Sequence, residues 1–290
     1  MRFSFVAIAS TIAATAVLAA PTPRHPTKND TASDLEILNY ALGLEHLESA
    51  FYAWGLAKHD AAAFEHAGLH NTIRERFVRI GEHESAHVNI LTSTIKSLHG
   101  TPVPKCTYKF PQYDVPTFVA IARALEQTGV SAYLGVAAKL RGDLLTASES
   151  IATVEARQSS FLNEVFGQSG IPYTFDTPLT QKEVLTLASS FIESCPYKLR
   201  IVPFKQLTAK LPEKGNKVMV KYEGEDPHAK TWCQFLYNNK VVVSPRNVCA
   251  LPPTVTGYVY VVVTKTATPI SLHDDSAIIA GPALLFKGDH

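Results

Sequence analysis

The sequence lacks any block of like charge. Its 27 Lys and Arg stand against 26 Asp and Glu, a formal net charge of +1. With no basic patch and no acidic tail, the electrostatic footprint of a nucleic-acid binder is excluded. Beyond the first twenty residues no apolar run is long enough to span a bilayer. No Ser/His/Asp or Cys/His arrangement stands out, which argues against a nucleophile mechanism. Cysteine is scarce: only Cys106, Cys195, Cys233 and Cys249 occur. Their spacings do not suit a structural zinc site.

What is present begins with the N-terminus. Arg2 is followed by an uncharged apolar stretch from Phe3, ending in the small residues Ala19 and Ala20. That pattern predicts a secretory signal peptide over 1–19, cut after Ala19, and hence an extracellular protein, free of the membrane once cleaved. A polar Pro- and Thr-rich leader over 20–32 is expected to be flexible and contains the glycosylation sequon Asn29-Asp30-Thr31. An even number of cysteines in an exported chain predicts two disulfides. Four cysteines allow three pairings. Cys233–Cys249, a short loop between strand-like runs, and Cys106–Cys195, between two loops of the helical part, are favoured.

A chain of 290 residues, 46% hydrophobic, can build one large core or two modest ones. From 33 to about 200 the pattern is helical. The capping box 33-SDLE-36 opens a first helix running to about Lys58. A second covers roughly 71–99. An irregular connection, 101-TPVPKCTYKFPQYDVP-116, precedes a third helix, opened by Asp114 with Pro116 and ending near Gly142. A fourth runs from about Leu144 to Phe166. The box 180-TQKE-183 opens a fifth, ending at Cys195-Pro196. After a boundary near 200–215 the character changes. The runs 217-KVMVKY, 232-WCQFLY, 240-KVVVS, 257-GYVYVVVT and 277-AIIAGPALLF are separated by Asn, Gly and Pro. These predict strands, with Gly281-Pro282 as a turn or strand end. The expected fold is multi-domain α plus β: a four-helix bundle with an extra helix over 33–200, then a small all-β, sandwich-like domain over 210–290.

The inward seams of the helices carry the chemistry. Residues spaced alternately three and four apart are Leu38, Leu42, Glu45, Ser49, Tyr52 and Leu56 in the first helix, and Phe77, Ile80, Glu84, His87 and Leu91 in the second. In the third they are Val119, Ala122, Glu126, Gly129, Tyr133, Val136 and Leu140; in the fourth, Ile151, Glu155, Gln158, Leu162 and Val165. Each apolar seam is interrupted near its middle by one glutamate. Glu45 precedes Tyr52 by seven, as Glu126 precedes Tyr133. The second and fourth helices carry Glu84-x-x-His87 and Glu155-x-x-Gln158. The chain therefore reads as two copies of one helix pair meeting across a pseudo-twofold axis. Four unpaired glutamates in a bundle interior would each lose several kcal/mol of hydration, and the seams hold too few Lys or Arg to offset it. Metal ions would neutralise them. One Glu from each of two helices, with Glu-x-x-His from the others, is the dimetal carboxylate arrangement. Carboxylate with imidazole suits one or two iron or manganese ions.

The stretches LNYALGLEHLESAFY, EHESAH, ALEQTGVSAYLG and SIATVEARQ resemble the ferritin-like domain of exported fungal stress-response proteins and of plant desiccation-related proteins. The resemblance covers 35–195. It implies a ferritin-like four-helix bundle with a dimetal-type site, but no settled activity. It also implies Glu-x-x-His in the fourth helix, where this chain has Gln158, a neutral and weaker oxygen ligand. That departure bears on redox catalysis more than on metal binding.

The expected metal ligands are thus Glu45, Glu84, His87, Glu126, Glu155 and Gln158. Tyr52 and Tyr133 are either core aromatics or donors that orient the carboxylates. Glu48 competes with Glu45 but falls one position off the seam. His83, His66 and His70 are read as surface residues. Two functions follow. The first is a secreted metal-dependent redox protein acting on peroxide or oxygen in a stress role. The second is a non-enzymatic cell-surface or wall protein, with a vestigial or single-metal site and a β domain that binds a wall component or another protein.

Overall fold

A computed structural model describes residues 28–111, 114–212, 214–226 and 228–288. The expected signal peptide, most of the leader and the Asn29 side chain of the sequon lie outside the described residues. Among the described residues there are six helices: α1 (Lys28–Lys58), α2 (Ala61–His66), α3 (Asn71–Ser97), α4 (Val115–Ala137), α5 (Gly142–Val165) and α6 (Gln181–Ser189). The first begins five residues before the predicted capping box. Lys28 to Ala32 contain no Gly or Pro, so nothing breaks the helix upstream of Ser33. Side-chain caps start α2, α3, α4 and α6 but not α5: Asp114 accepts from Thr117 N at α4, and Thr180 and Glu183 form a reciprocal capping box at α6.

The long helices form the bundle, α1 packing along α3 and α4 along α5. At one end Phe51, Tyr52, Phe64, Phe77 and Phe118, all fully buried, make an aromatic cluster. At the other end Leu38, Leu42, Leu91, Ile95, Tyr133 and Ile151 pack together. Each such buried apolar side chain contributes about 1.5–3 kcal/mol of transfer free energy. The four interior glutamates lie between these two apolar plugs.

Two predicted boundaries differ. The helix opened by Thr180 stops at Ser189, and Ile192–Ser194 instead form a strand, β2, antiparallel to β1 (Thr107–Tyr108). The connection over 101–116 is therefore not wholly irregular. The Cys106–Cys195 disulfide stands beside this pairing, Thr107 opposite Ser194. Strands this short leave no local pattern in the sequence and pair only through this long-range contact.

Strands β3 (Leu207–Lys210) and β4 (Met219–Tyr222) form a hairpin; β3 is absent from the sequence reading. The strands β5 (Trp232–Tyr237), β6 (Lys240–Pro245), β7 (Gly257–Thr264) and β8 (Ile278–Lys287) form an antiparallel sheet in the order β6-β5-β7-β8. Gly281-Pro282 falls inside β8 rather than at a turn. As the outermost strand of that sheet, β8 tolerates a residue with no N–H. The second disulfide, Cys233–Cys249, ties β5 to the segment after β6.

Every residue of β7 is buried, because both faces of the sheet are covered. Val259, Val261 and Val263 face the hairpin core of Leu207, Val218 and Val220. Tyr260 and Val262 face the helices, with Ala132 of α4 and Val184 of α6. Strand alternation sends neighbouring side chains to opposite faces, so a continuous apolar run is what this doubly covered strand requires. Tyr260 Oη lies 2.8 Å from Ser131 Oγ, and Tyr258 Oη donates to Asn163 Oδ1 at 2.8 Å. The outer face of α4 is thereby buried too, and its inner face is left for the glutamates.

Candidate metal centre

The seam positions converge. Glu45, Glu84, Glu126 and Glu155 are each no more than 1% exposed; His87 and Gln158 are buried at 8% and 6%. Glu45 comes from α1, Glu84 and His87 from one face of α3, Glu126 from α4, Glu155 and Gln158 from α5. The i, i+3 spacing of Glu84 and His87 puts both side chains on one stripe of α3. His87 Nδ1 lies 3.1 Å from Glu84 Oε2, 3.2 Å from Glu45 Oε2 and 3.6 Å from Glu155 Oε1. Ligand atoms of Glu45, Glu84, His87 and Glu155 all lie within 4.8 Å of one another. Glu126 is outside this tight group. Gln158 donates from Nε2 to Glu84 Oε1 at 2.8 Å.

The two tyrosines act crosswise. The Tyr52 hydroxyl on α1 donates to Glu126 Oε1 on α4, and the Tyr133 hydroxyl on α4 donates to Glu45 Oε1 on α1. Burial and the neighbouring carboxylates push both phenols well above their ordinary value, so each keeps its proton and remains a donor.

Charge is poorly compensated here. Burial, with the repulsion of Glu84, pushes the Glu45 carboxyl up to about 7, against the pull of His87. Glu48, Glu126 and Glu155 are raised well above the carboxylate range, by burial first and by the neighbouring carboxylates second, Glu45 and Glu84 among them in each case. Burial lowers His87, but hydrogen bonds and charge from Glu45 and Glu84 outweigh it and raise the imidazole to about 10. One imidazolium cannot serve five carboxylates. Glu126 Oε2, both oxygens of Glu155 and Gln158 Oε1 are buried without a hydrogen-bond partner.

Glu48 corrects the sequence reading. Set aside as off the seam, it is 5% exposed and points inward beside Glu155. The signal was the i, i+3 spacing from Glu45, the same spacing that joins Glu84 to His87. His66 and His70 are exposed and remain outside the cluster; His70 accepts from Thr72 N at the start of α3. His83 is half-buried, one position away from the seam.

Residues 33–168 match the family model of the ferritin-like domain. The chain is 29% identical over 166 residues to protein rds1 of Schizosaccharomyces pombe; the match takes in 56% of this chain and 40% of that protein. The chain thus spans about two fifths of that relative's length. A solved structure of ferritin-like, diiron-carboxylate proteins from Bacillus anthracis str. Ames is 20% identical, with a TM-score of 0.42, covering 48% of this chain and 99% of that one. Residues 33–168 thus match the ferritin-like domain and fold as a helical bundle, followed by α6 and a small region of antiparallel β-sheet.

Proposed function

We propose that this chain is a dimetal-carboxylate protein of the ferritin-like type, exported, with redox chemistry toward oxygen or peroxide. The observation that carries the reading is the buried cluster of Glu45, Glu84, His87 and Glu155. Donor atoms around one cation at about 2.0–2.2 Å stand no more than about 4.4 Å apart, and these four nearly meet that limit. The fit is also chemical. Four oxygens of the cluster are buried without a hydrogen-bond partner, and a cation supplies what they lack. Mixed carboxylate and imidazole favour iron or manganese.

When bound, either metal supplies one-electron or two-electron exchange. The chain's own residues set the conditions for it. Tyr133 and Tyr52 hold Glu45 and Glu126 in fixed rotamers, as outer partners of metal ligands do. His87 Nδ1 stands between Glu45 and Glu84, and as a ligand of a bound metal it would give up its proton there. The apolar plugs at both ends of the bundle keep water from the carboxylates. Export is supported by the two disulfides, which persist in oxidising compartments. Among the described residues no helix is long and apolar enough to cross a membrane.

Gln158 favours a second reading, in which a single ion is structural and the β region binds a wall component or a protein. An amide at 158 ties up Glu84 rather than offering imidazole. Metal analysis of the full chain after reconstitution with iron and with manganese separates the readings, with a Glu84→Ala/His87→Ala variant as background. Bound ions that the variant loses, with peroxide or oxygen consumed, are the expected result. Ions without turnover favour the structural reading, and no ion above the variant's level defeats both.

A further inference from the structure

The two helix pairs repeat one another position by position. The pair α1 and α3 contributes Glu45, Glu48, Glu84 and His87; the pair α4 and α5 contributes Glu126, Gly129, Glu155 and Gln158. Glu45 corresponds to Glu126, Glu84 to Glu155 and Tyr52 to Tyr133. Two positions break the repeat. His87 corresponds to Gln158, and Glu48, three residues after Glu45, corresponds to Gly129, three residues after Glu126.

The two breaks meet in space. A Cβ at position 129 would overlap the Glu155 carboxylate, whose Cδ would be 3.0 Å away, and would lie 3.3 Å from Glu48 Oε1. The gap left by the absent side chain is thus bordered by both carboxylates. Glu48 reaches across the bundle to the half that lacks an imidazole. On that half stand four oxygens of the cluster that are buried without a partner: Glu126 Oε2, Glu155 Oε1 and Oε2, and Gln158 Oε1. The Gln158 amide nitrogen is already given to Glu84, so the residue faces the remaining oxygens as an acceptor.

Resting on the metal reading above, we propose that Glu48 is a ligand of a second, all-oxygen cation subsite with Glu126, Glu155 and Gln158. Glu155 is shared with the nitrogen-containing subsite of Glu45, Glu84 and His87. The two subsites are chemically unlike. Oxygen-only donors suit a hard cation such as Mn2+, whereas imidazole suits iron or zinc as well. Four carboxylates neutralise two divalent ions; the fifth, Glu48, adds a negative charge that favours a second cation further. The subsite also has an approach. An apolar cavity of about 180 Å3, walled by Leu47, Ile121, Leu125 and Val184, has Glu48 and Gly129 on its lining.

The test is Mn2+ binding to the full chain by equilibrium dialysis with metal analysis, without an activity assay. The wild type should bind two Mn2+, and Glu48→Gln one, the second ion weakened by at least about tenfold and the first unchanged. Circular dichroism should show Glu48→Gln as folded as the wild type, since the amide keeps the shape of the buried carboxyl. If it does not fold, Glu48→Asp decides. It keeps the charge but withdraws it by one methylene, and the second ion should again weaken. A folded Glu48→Gln, or Glu48→Asp, with two ions at wild-type affinity overturns the proposal. A wild type that binds one ion, lost in Glu84→Ala/His87→Ala, overturns it while leaving the metal reading intact. A wild type that binds none overturns both.

Discussion

Tyr133 on α4 donates its hydroxyl proton to Glu45 Oε1 on α1, 88 residues earlier in the chain. The mirror bond, Tyr52 to Glu126, runs the other way between the same two helices. The tyrosines therefore belong to the carboxylate cluster and to the apolar plugs at once.

Replacing Tyr133 with Phe keeps the packing and removes one donor. Glu45 Oε1 then loses its partner in a dry interior, which costs about 1–3 kcal/mol in the metal-free chain. Urea unfolding should show this loss, and metal titration should show affinity lower by about 10–100-fold. An unchanged affinity would mean that the carboxylate needs no such support.

Glu183 gives the fold a pH dependence remote from the cluster. Burial, with the nearby charge of Asp275, raises its carboxyl from 4.5 to about 7, against the hydrogen bonds from Thr180. The folded chain therefore holds a proton that the unfolded chain releases between about pH 4.5 and 7. This contribution is full below pH 4.5 and is lost as pH rises through 7. A shift of this size corresponds to about 3 kcal/mol. Glu183→Gln can still accept from Thr180 N but does not titrate. The difference in urea midpoint between pH 5 and pH 8 should be smaller in Glu183→Gln than in the wild type. Equal differences would show that Glu183 ionises as freely in the fold as outside it.

The two disulfides constrain different parts of the chain. Cys106–Cys195 spans 89 residues and Cys233–Cys249 spans 16. Loop-closure entropy puts their contributions at about 4–5 and about 3 kcal/mol respectively. Paired Cys→Ala variants should lower the melting temperature in that order. Metal content should survive in both, because neither bridge touches a ligand. Loss of metal on removing Cys233–Cys249 would show that the sheet packed on α4 helps to hold the cluster.

Local pattern determined much of this protein. The three-four spacing of apolar residues placed the four long helices, and one glutamate at the same phase in each seam marked the cluster before any contact was known. The seven-residue interval from Glu45 to Tyr52 and from Glu126 to Tyr133 exposed the repeat. The alternating and continuous apolar runs after 217 marked five of the strands. Cysteine placement favoured the two bridges that form. These features are legible because each follows from the period of one element.

Only the tertiary structure decided the rest. Tyr52 and Tyr133 bond across helices, a relation that no single helix encodes. Glu48 looked off the seam because a helix wheel assigns one inward line, whereas α1 presents a wide inner face toward both α3 and α4. The short pair β1 and β2 joins segments far apart in the chain, beside the Cys106–Cys195 bridge. Gly129 matters for the side chain it lacks, and that space has meaning only once Glu48 and Glu155 border it. The seams fix which residues point inward, but which of them share a cation depends on how the two halves are brought face to face.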